Sequence, residues 1–407
     1  MNAELPPLTY LSFDSLAEGV GASQVVAYVE GLARRGVDVS LHSFEKSEPS
    51  PAVGRRLAAC GARWKPHRFG GTGPRGGLAR VARAATALRG AELVHARSDL
   101  AAASALLARP RSWVWDMRSF WVDERIELGM VRSGSPEERA LRLVERRAAR
   151  SAGAIVTLAA TAVPVIADRH GRTAACKARV ITTCVDLDRF ALSSPPPSAP
   201  RRVLLSGTLN ARYDVAAMVG FVEALRRRRA VDLEVLSPDP GRWTALLEGA
   251  GAKLGRLSPA EMPNRVAAVH AGLCLLQRGA TPANQAVMPT KVGEFLASGR
   301  PVVVSAGLGD LDALVARFDC GVVVDDLSDV GIERASEDLD RLIDDPGTPR
   351  RCRALAEEHF SLERGVDALI STYHAALAAT NARGPGRRPR PPEPVKARAA
   401  LRGWREP

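Results

Sequence analysis

A lysine and a glutamate three residues apart, Lys291 and Glu294, stand in the stretch PTKVGEFLASGRPVVVS from Pro289 to Ser305. At about 100° per residue they share one face of a short helix with Ser298, while Val292, Phe295 and Leu296 occupy another. One face packs and the other can work. Gly299 suits a left-handed turn at the helix end, and Pro301 opens a strand too apolar to be exposed. A cation beside helix N-terminal amides fits diphosphate oxygens, and a nearby carboxylate can accept hydrogen bonds from ribose hydroxyls. Spacing alone favours the plainer alternative, a Lys/Glu pair on an exposed helix.

A second set of charges, Asp116, Arg118, Asp123 and Glu124, follows the apolar run Trp113–Trp115. A carboxylate there could orient or deprotonate a substrate hydroxyl, and Arg118 could meet a phosphate. An internal Asp/Arg bridge that organises the loop is the alternative. His95, in ELVHARS, reads as a core histidine. A third candidate is the loop LAEGVGASQ, Leu16 to Gln24, where Gly19 and Gly21 let backbone approach an anion or a sugar. A dinucleotide fingerprint wants a further glycine where Gln24 stands, so an NAD loop is not indicated. The alternative is a tight turn feeding a helix, with Ser23 as its N-cap.

Apolar strand-like runs alternating with helical patterns position these residues, which gives an α/β class. Strands are expected around Thr9–Phe13, Val37–Phe44, Leu93–Arg97, Trp113–Arg118, Ala154–Leu158 and Arg179–Thr182. In SQVVAYVEGLARRG, the stripe Val25, Val26, Val29 and Leu32 predicts a helix closed by Gly36. The proline-rich SSPPPSAPRR at 193–202 reads as a linker. A second series follows at Val203–Ser206, Leu233–Ser237, Leu273–Gln277, Pro301–Ser305 and Gly321–Asp325, with helices at Pro349–His359 and Leu362–Ala379. The expected architecture is two doubly wound Rossmann-like domains, 1–192 and 203–358, facing across a cleft that collects ligands at strand C-terminal ends. A terminal helix at 359–380 could cross back to the first domain, and 383–407 reads as a disordered basic tail.

The net charge of +12 raises the question of nucleic acid, but half of it lies in 383–407, where eight Lys/Arg face two Glu. A Pro/Gly/Arg-rich tail builds no core, so the charge points to a solvated tail or an anionic membrane surface, with Trp404 favouring the membrane. Nucleic acid is not expected as a partner. Basic helical faces at Arg75–Arg89 and Arg139–Arg150 read as solvated surface that could also meet such a membrane. MNAELPPLTYLSF has neither the basic start nor the apolar run of a secretion signal, and no stretch reaches the roughly 18 apolar residues of a membrane span. A cytoplasmic protein is expected, peripheral on the inner membrane face if it meets lipid. The six cysteines have no paired short spacing and read as reduced core residues rather than zinc ligands.

With these motifs in place, nearly all of Leu8 to about Tyr373 resembles the retaining GT-B glycosyltransferases of family four, also called group 1. The resemblance rests on PTKVGEFLASGRPVVVS, EGVGASQVVAYVEGLARRG, the run Asp116–Glu124, SAGAIVTLA and RVITTCVDLDRF. It implies transfer of a sugar from a nucleotide donor on the C-terminal domain to a saccharide, lipid-linked or small-molecule acceptor on the N-terminal domain. Glu294 matches the ribose-holding glutamate, Lys291 faces the diphosphate, Gly207 follows the first strand of the second domain, and Arg212 lies near the usual basic position. Asp116 and Arg118 fall where many members place a histidine near the reacting sugar, and Gly19, Gly21, Ser23 and Glu124 fall on the acceptor side. A second family glutamate, eight positions before Glu294, is here Ala286.

Such a transfer passes through an oxocarbenium-like state as a diphosphate leaves, and Lys291, Arg212 and helix amides are suited to its growing charge. Fixed cations make neither a cofactor nor a metal necessary, and no Asp-x-Asp pair marks the donor region. A non-catalytic scaffold of the same fold and a nucleotide-sugar epimerase are the alternative readings.

Overall fold

The computed structural model describes residues 5–17, 19–194, 196, 199–277, 279 and 281–382. The basic tail expected over 383–407, with Trp404, lies outside them. The chain divides into two units. One runs from its start to Ile181 and resumes at Gly365; the other spans Thr182–Arg364.

The first unit holds seven parallel strands, β1 (Leu8–Leu11), β2 (Val39–Glu45), β3 (Arg63–Arg68), β4 (Leu93–Arg97), β5 (Ser112–Asp116), β6 (Ala154–Thr157) and β7 (Ala178–Val180). Their order is β3-β2-β1-β4-β5-β6-β7. Strands β2, β4 and β5 are buried along their whole length, as a parallel sheet covered by helices requires. The helix Val26–Arg34 buries Val26, Val29 and Leu32 of the expected stripe. Strand β3 was not foreseen, because its sequence RWKPHR carries four basic residues and a proline. It lies at the sheet edge, pairing with β2 alone, where Arg63, Lys65, Pro66 and Arg68 are exposed and the missing N–H of Pro66 is tolerated.

The second unit holds six parallel strands, β8 (Arg201–Ser206), β9 (Val231–Leu236), β10 (Lys253–Gly255), β11 (Ala271–Cys274), β12 (Val302–Ser305) and β13 (Gly321–Val324). Their order is β10-β9-β8-β11-β12-β13. Val203, Leu205, Phe221, Leu225, Leu233, Leu273 and Val303 share one of its cores, each fully buried side chain stabilising by about 1.5–3 kcal/mol. Strand order reverses between β1 and β4 in one unit and between β8 and β11 in the other. Crevices at such reversals, beyond the strand C-terminal ends, are where open α/β sheets bind ligands.

The expected boundary at 192/193 is displaced to 181/182, and the reason is a pair of arginines. Arg353 Nη1 donates to the carbonyls of Leu187 (3.1 Å) and Phe190 (3.0 Å). Arg300, only 2% exposed, donates to Ser193 Oγ (2.6 Å) and the Ser194 carbonyl (2.8 Å). Residues before the proline-rich stretch are thereby tied to the second unit. The last helix, Leu362–Ala382, belongs to the first unit from Gly365 and buries Val366, Leu369, Tyr373 and Ala376. Four cysteines are buried, but Cys176 is exposed, contrary to its reading as a core residue. Among the described residues no helix is long and apolar enough to cross a membrane.

Candidate functional site

In the second unit the helix Thr290–Ala297 packs Val292, Phe295 and Leu296 inward, each at most 1% exposed. Phe295 lies against Gly272 of β11, where its ring fills the place a Cβ would take. Ser298, expected beside Lys291 and Glu294, is instead buried, because the helix has ended one residue earlier. Gly299 follows with φ +78°, as the sequence predicts.

This packing aims Lys291 at the reversal between β8 and β11. Its ammonium donates to the Tyr213 hydroxyl at 2.7 Å and lies 4.4 Å from that ring's centroid. Gly207, just past β8, has φ +107°, and a Cβ there would stand 2.8 Å from Lys291 Nζ. Glycine is needed at 207 both for its backbone and to leave the ammonium room. Burial works against the charged lysine, yet Tyr213, Cys274 and Glu294 outweigh it and hold the pKa above the usual value.

The Glu294 carboxylate makes no hydrogen bond or ion pair among the described residues, although its backbone carbonyl accepts from Ser298 N at 3.3 Å. Burial pushes its carboxyl up to about 7, against the pull of Lys291 and Arg189. An unpaired, half-buried carboxylate is ready to accept hydrogen bonds from a ligand. Arg212 lies in the loop after β8 and donates from Nη2 to Asn284 Oδ1 at 2.8 Å. Asn284 in turn donates to the carbonyls of Gln277 (3.0 Å) and Gly279 (2.9 Å). The loop is pinned at its far end, where Gln277 N donates to the Arg212 carbonyl at 2.7 Å. Gly207, Arg212, Tyr213, Lys291 and Glu294 are thus held by one crevice. Ala286 is fully buried beside the turn Pro282–Gln285 and offers no polar group.

Next to this crevice, at the ends of β9 and β10, a cavity of about 230 Å³ is lined by Val235, Ser237, Pro240, Leu254 and Gly255. A larger one, about 320 Å³, involves Arg202, Asp232, Glu234, Lys253 and Arg265. Its charges are paired with each other, Lys253 with Asp232 and Arg265 with Glu234, and it lies away from Lys291. The smaller cavity is the one placed to extend the crevice.

The charges at the strand ends of the first unit are arranged differently. Asp116, 2% exposed, lies near His95 Nε2 (3.2 Å) and accepts from Arg97 Nη1 (3.4 Å), while Arg118 Nη1 stands 3.6 Å from its other oxygen. The Tyr373 hydroxyl lies 3.0 Å from His95 Nδ1, so a neutral ring that donates to Asp116 accepts from Tyr373. Burial opposes the charge on Asp116, but Arg118, His95 and Arg97 outweigh it and hold its pKa well below the carboxylate range. Such a group is a poor proton acceptor. This enclosure is the geometry of the internal Asp/Arg bridge that the sequence offers as the alternative to a base. Arg118 has φ +57° and remains the partner of Asp116 that reaches towards solvent.

Asp123 is taken up by Arg169 (2.6 and 2.8 Å) and Arg142 (2.8 Å), and Glu124 accepts from Ser119 Oγ at 2.8 Å. Arg142 is therefore drawn inward rather than left on the solvated face expected for 139–150. In the glycine-bearing loop, Gly19 has φ +55°. A Cβ on Gly21 would come within 1.9 Å of the Ser15 carbonyl oxygen, so this glycine serves the packing of its own loop. Ser23 is not an N-cap. It lies inside a π-helical turn, Gly21–Val25, and donates to the Gly19 carbonyl at 3.0 Å. Tyr213 and Asn284 were not singled out by sequence; the adjacency of Tyr213 to Arg212 was the available signal.

Comparison with known proteins follows the same division. Residues 20–184 match the family described as glycosyl transferase 4-like domain. The first unit thus carries a match to a glycosyl transferase 4-like domain. Its fold is GT-B. A sucrose-phosphate synthase from Thermosynechococcus elongatus superposes with a TM-score of 0.67 at 17% identity, covering 92% of this chain and 99% of that one. HepE from Anabaena, solved in complex with UDP and glucose, gives 0.64 at 14% identity over 90% and 98%. The lipopolysaccharide outer core galactosyltransferase WaaB gives 0.61 at 10% identity over 90% and 99%. At these identities the likeness is one of fold. No curated protein sequence matches the chain. The family match lies almost wholly in the first unit, so Lys291 and Glu294 stand outside it and rest on their own geometry.

Proposed function

We propose that the chain is a glycosyltransferase that uses a nucleotide sugar as donor and binds it on the second unit. The observation that carries the reading is the convergence of Gly207, Lys291 and the unpaired Glu294 at the β8/β11 reversal. Glu294 accepts from the ribose hydroxyls, the cavity at β9 and β10 takes the base, and Lys291 and Arg212 meet the diphosphate. HepE, which shares the fold, was solved with UDP and with UDP-glucose, which supports a ligand of this class.

In the reaction the bond between the anomeric carbon and the diphosphate oxygen breaks, and an acceptor hydroxyl oxygen forms the new bond to that carbon. The hydroxyl proton passes to the departing diphosphate. Charge grows on that leaving group, and each fixed donor aimed at it lowers the barrier by about 3 kcal/mol. With Asp116 held ionised and enclosed, proton transfer to the leaving group itself is the favoured route, which is compatible with retention. Arg118, set by Asp116, is assigned to the acceptor, whether saccharide, lipid-linked or small molecule. An anionic membrane surface remains a proposed partner, through Arg75 and its neighbours on the helix Gly73–Ala87.

The test is turnover of UDP-, GDP-, ADP- and dTDP-sugars, followed by release of the nucleoside diphosphate. At least one donor is expected to be consumed, with Glu294→Ala inactive but folded. Unchanged turnover in that variant sinks the assignment. An epimerised nucleotide sugar, formed without acceptor, would favour epimerase chemistry instead.

A further inference from the structure

Lys291 could reach a diphosphate in many rotamers, because a lysine side chain carries four flexible bonds and a strongly hydrated head. Here one rotamer is selected. The Tyr213 hydroxyl accepts from Nζ at 2.7 Å, and Gly207 leaves the ammonium the room that a Cβ, 2.8 Å from Nζ, would take. Tyr213 is itself fixed. Its amide donates to the Asn210 carbonyl at 3.1 Å, it bridges to Leu276, and the next amide, Asp214 N, donates to the Leu275 carbonyl at 3.1 Å. The hydroxyl therefore sits on a short loop anchored at the end of β11. It spends an acceptor lone pair on Lys291, and its own proton has no partner among the described residues.

We propose that Tyr213 is the positioning residue of the donor site, its hydroxyl holding the Lys291 ammonium beside Gly207 so that the cation meets the diphosphate. The inference rests on the donor reading above and deepens it. It makes Tyr213 a determinant of preference for a nucleoside diphosphate over the corresponding monophosphate. Without the phenol, the ammonium is free to swing towards solvent. Glu294 and the base cavity would be untouched by that change, so the nucleoside end of the ligand should bind as before.

The experiment is calorimetric titration of the full chain with UDP, GDP, ADP and dTDP, and with the monophosphate of whichever diphosphate binds. Tyr213→Phe keeps the ring and removes only the hydroxyl. Its expected effect is about a tenfold loss of diphosphate affinity, the scale of one hydrogen bond to a charged group, with monophosphate affinity unchanged. In a Lys291→Ala background Tyr213→Phe should add nothing, since there is no ammonium left to position. Equal loss of both nucleotides, an undiminished diphosphate affinity, or full additivity with Lys291→Ala overturns the inference while leaving the donor site standing. Failure of the unaltered protein to bind any diphosphate overturns both. Thermal unfolding of each variant identifies a misfolded one, and Tyr213→Trp, which restores a ring donor but displaces Lys291, should not rescue the preference.

Discussion

Two clusters of charge, one buried and one half-buried, lie by the strand ends of the two parallel sheets, and they differ in whether the protein completes them. In the first unit Asp116 is met by His95, Arg97 and Arg118, and Tyr373 closes the far side of His95. In the second, Lys291 has one protein partner and Glu294 has none among the described residues. The first cluster pairs its charges within itself, although Asp116 Oδ1 has only the 3.6 Å ion pair with Arg118 and no hydrogen bond; the second leaves the Glu294 carboxylate without any pair among the described residues. A buried charge is therefore weak evidence for a site until its partners are known.

The largest effect that would break this contrast is on stability. Asp116→Ala strips Arg97 and Arg118 of a shared counter-charge, and urea unfolding should show a loss of about 3–5 kcal/mol. A variant as stable as the parent would remove the structural reading of that cluster. Lys291→Ala should behave oppositely, lowering kcat about a hundredfold while leaving the unfolding midpoint nearly unmoved. Gly207→Ala is smaller still. Its new methyl crowds the ammonium, and the expected result in steady-state assays is about a tenfold fall in kcat/KM.

How much of this was legible beforehand depends on how local the signal was. Strands β4 and β12 announced themselves as apolar runs, and the Lys291/Glu294 face followed from helical period. Strand β3 did not, since an edge strand with one solvated face can carry RWKPHR. The hydroxyl that holds Lys291 lies 78 residues away, and the amide that holds Arg212 lies 72 away. No window along the chain shows such pairs. The true position of the unit boundary was hidden for the same reason, because Arg300 and Arg353 fasten the connecting strap from distant elements.

The smallest predicted effect sharpens the contrast through pH. Burial raises the Glu294 carboxyl to about 7. A carboxyl whose folded pKa lies above its unfolded one favours the folded state most at low pH, and that contribution is lost as pH rises through 7. The ligand-free protein should therefore unfold more readily at pH 8 than at pH 6, with the slope reduced in Glu294→Gln. Ribose hydroxyls favour the ionised form, so nucleotide affinity should rise up to about tenfold over the same interval. Asp116, already held ionised, contributes no such change there.

The central claim is that the unpaired carboxylate of the second unit is a donor-binding group. Calorimetry with the panel of nucleoside diphosphate sugars, on the parent protein and on Glu294→Ala, tests it most directly. The account predicts that a donor binds the parent and loses at least about tenfold in affinity in the variant, whose thermal stability at pH 8 is unchanged or raised because an unpaired buried charge has been removed. Equal affinity in both proteins, or no binding by any donor, would contradict it.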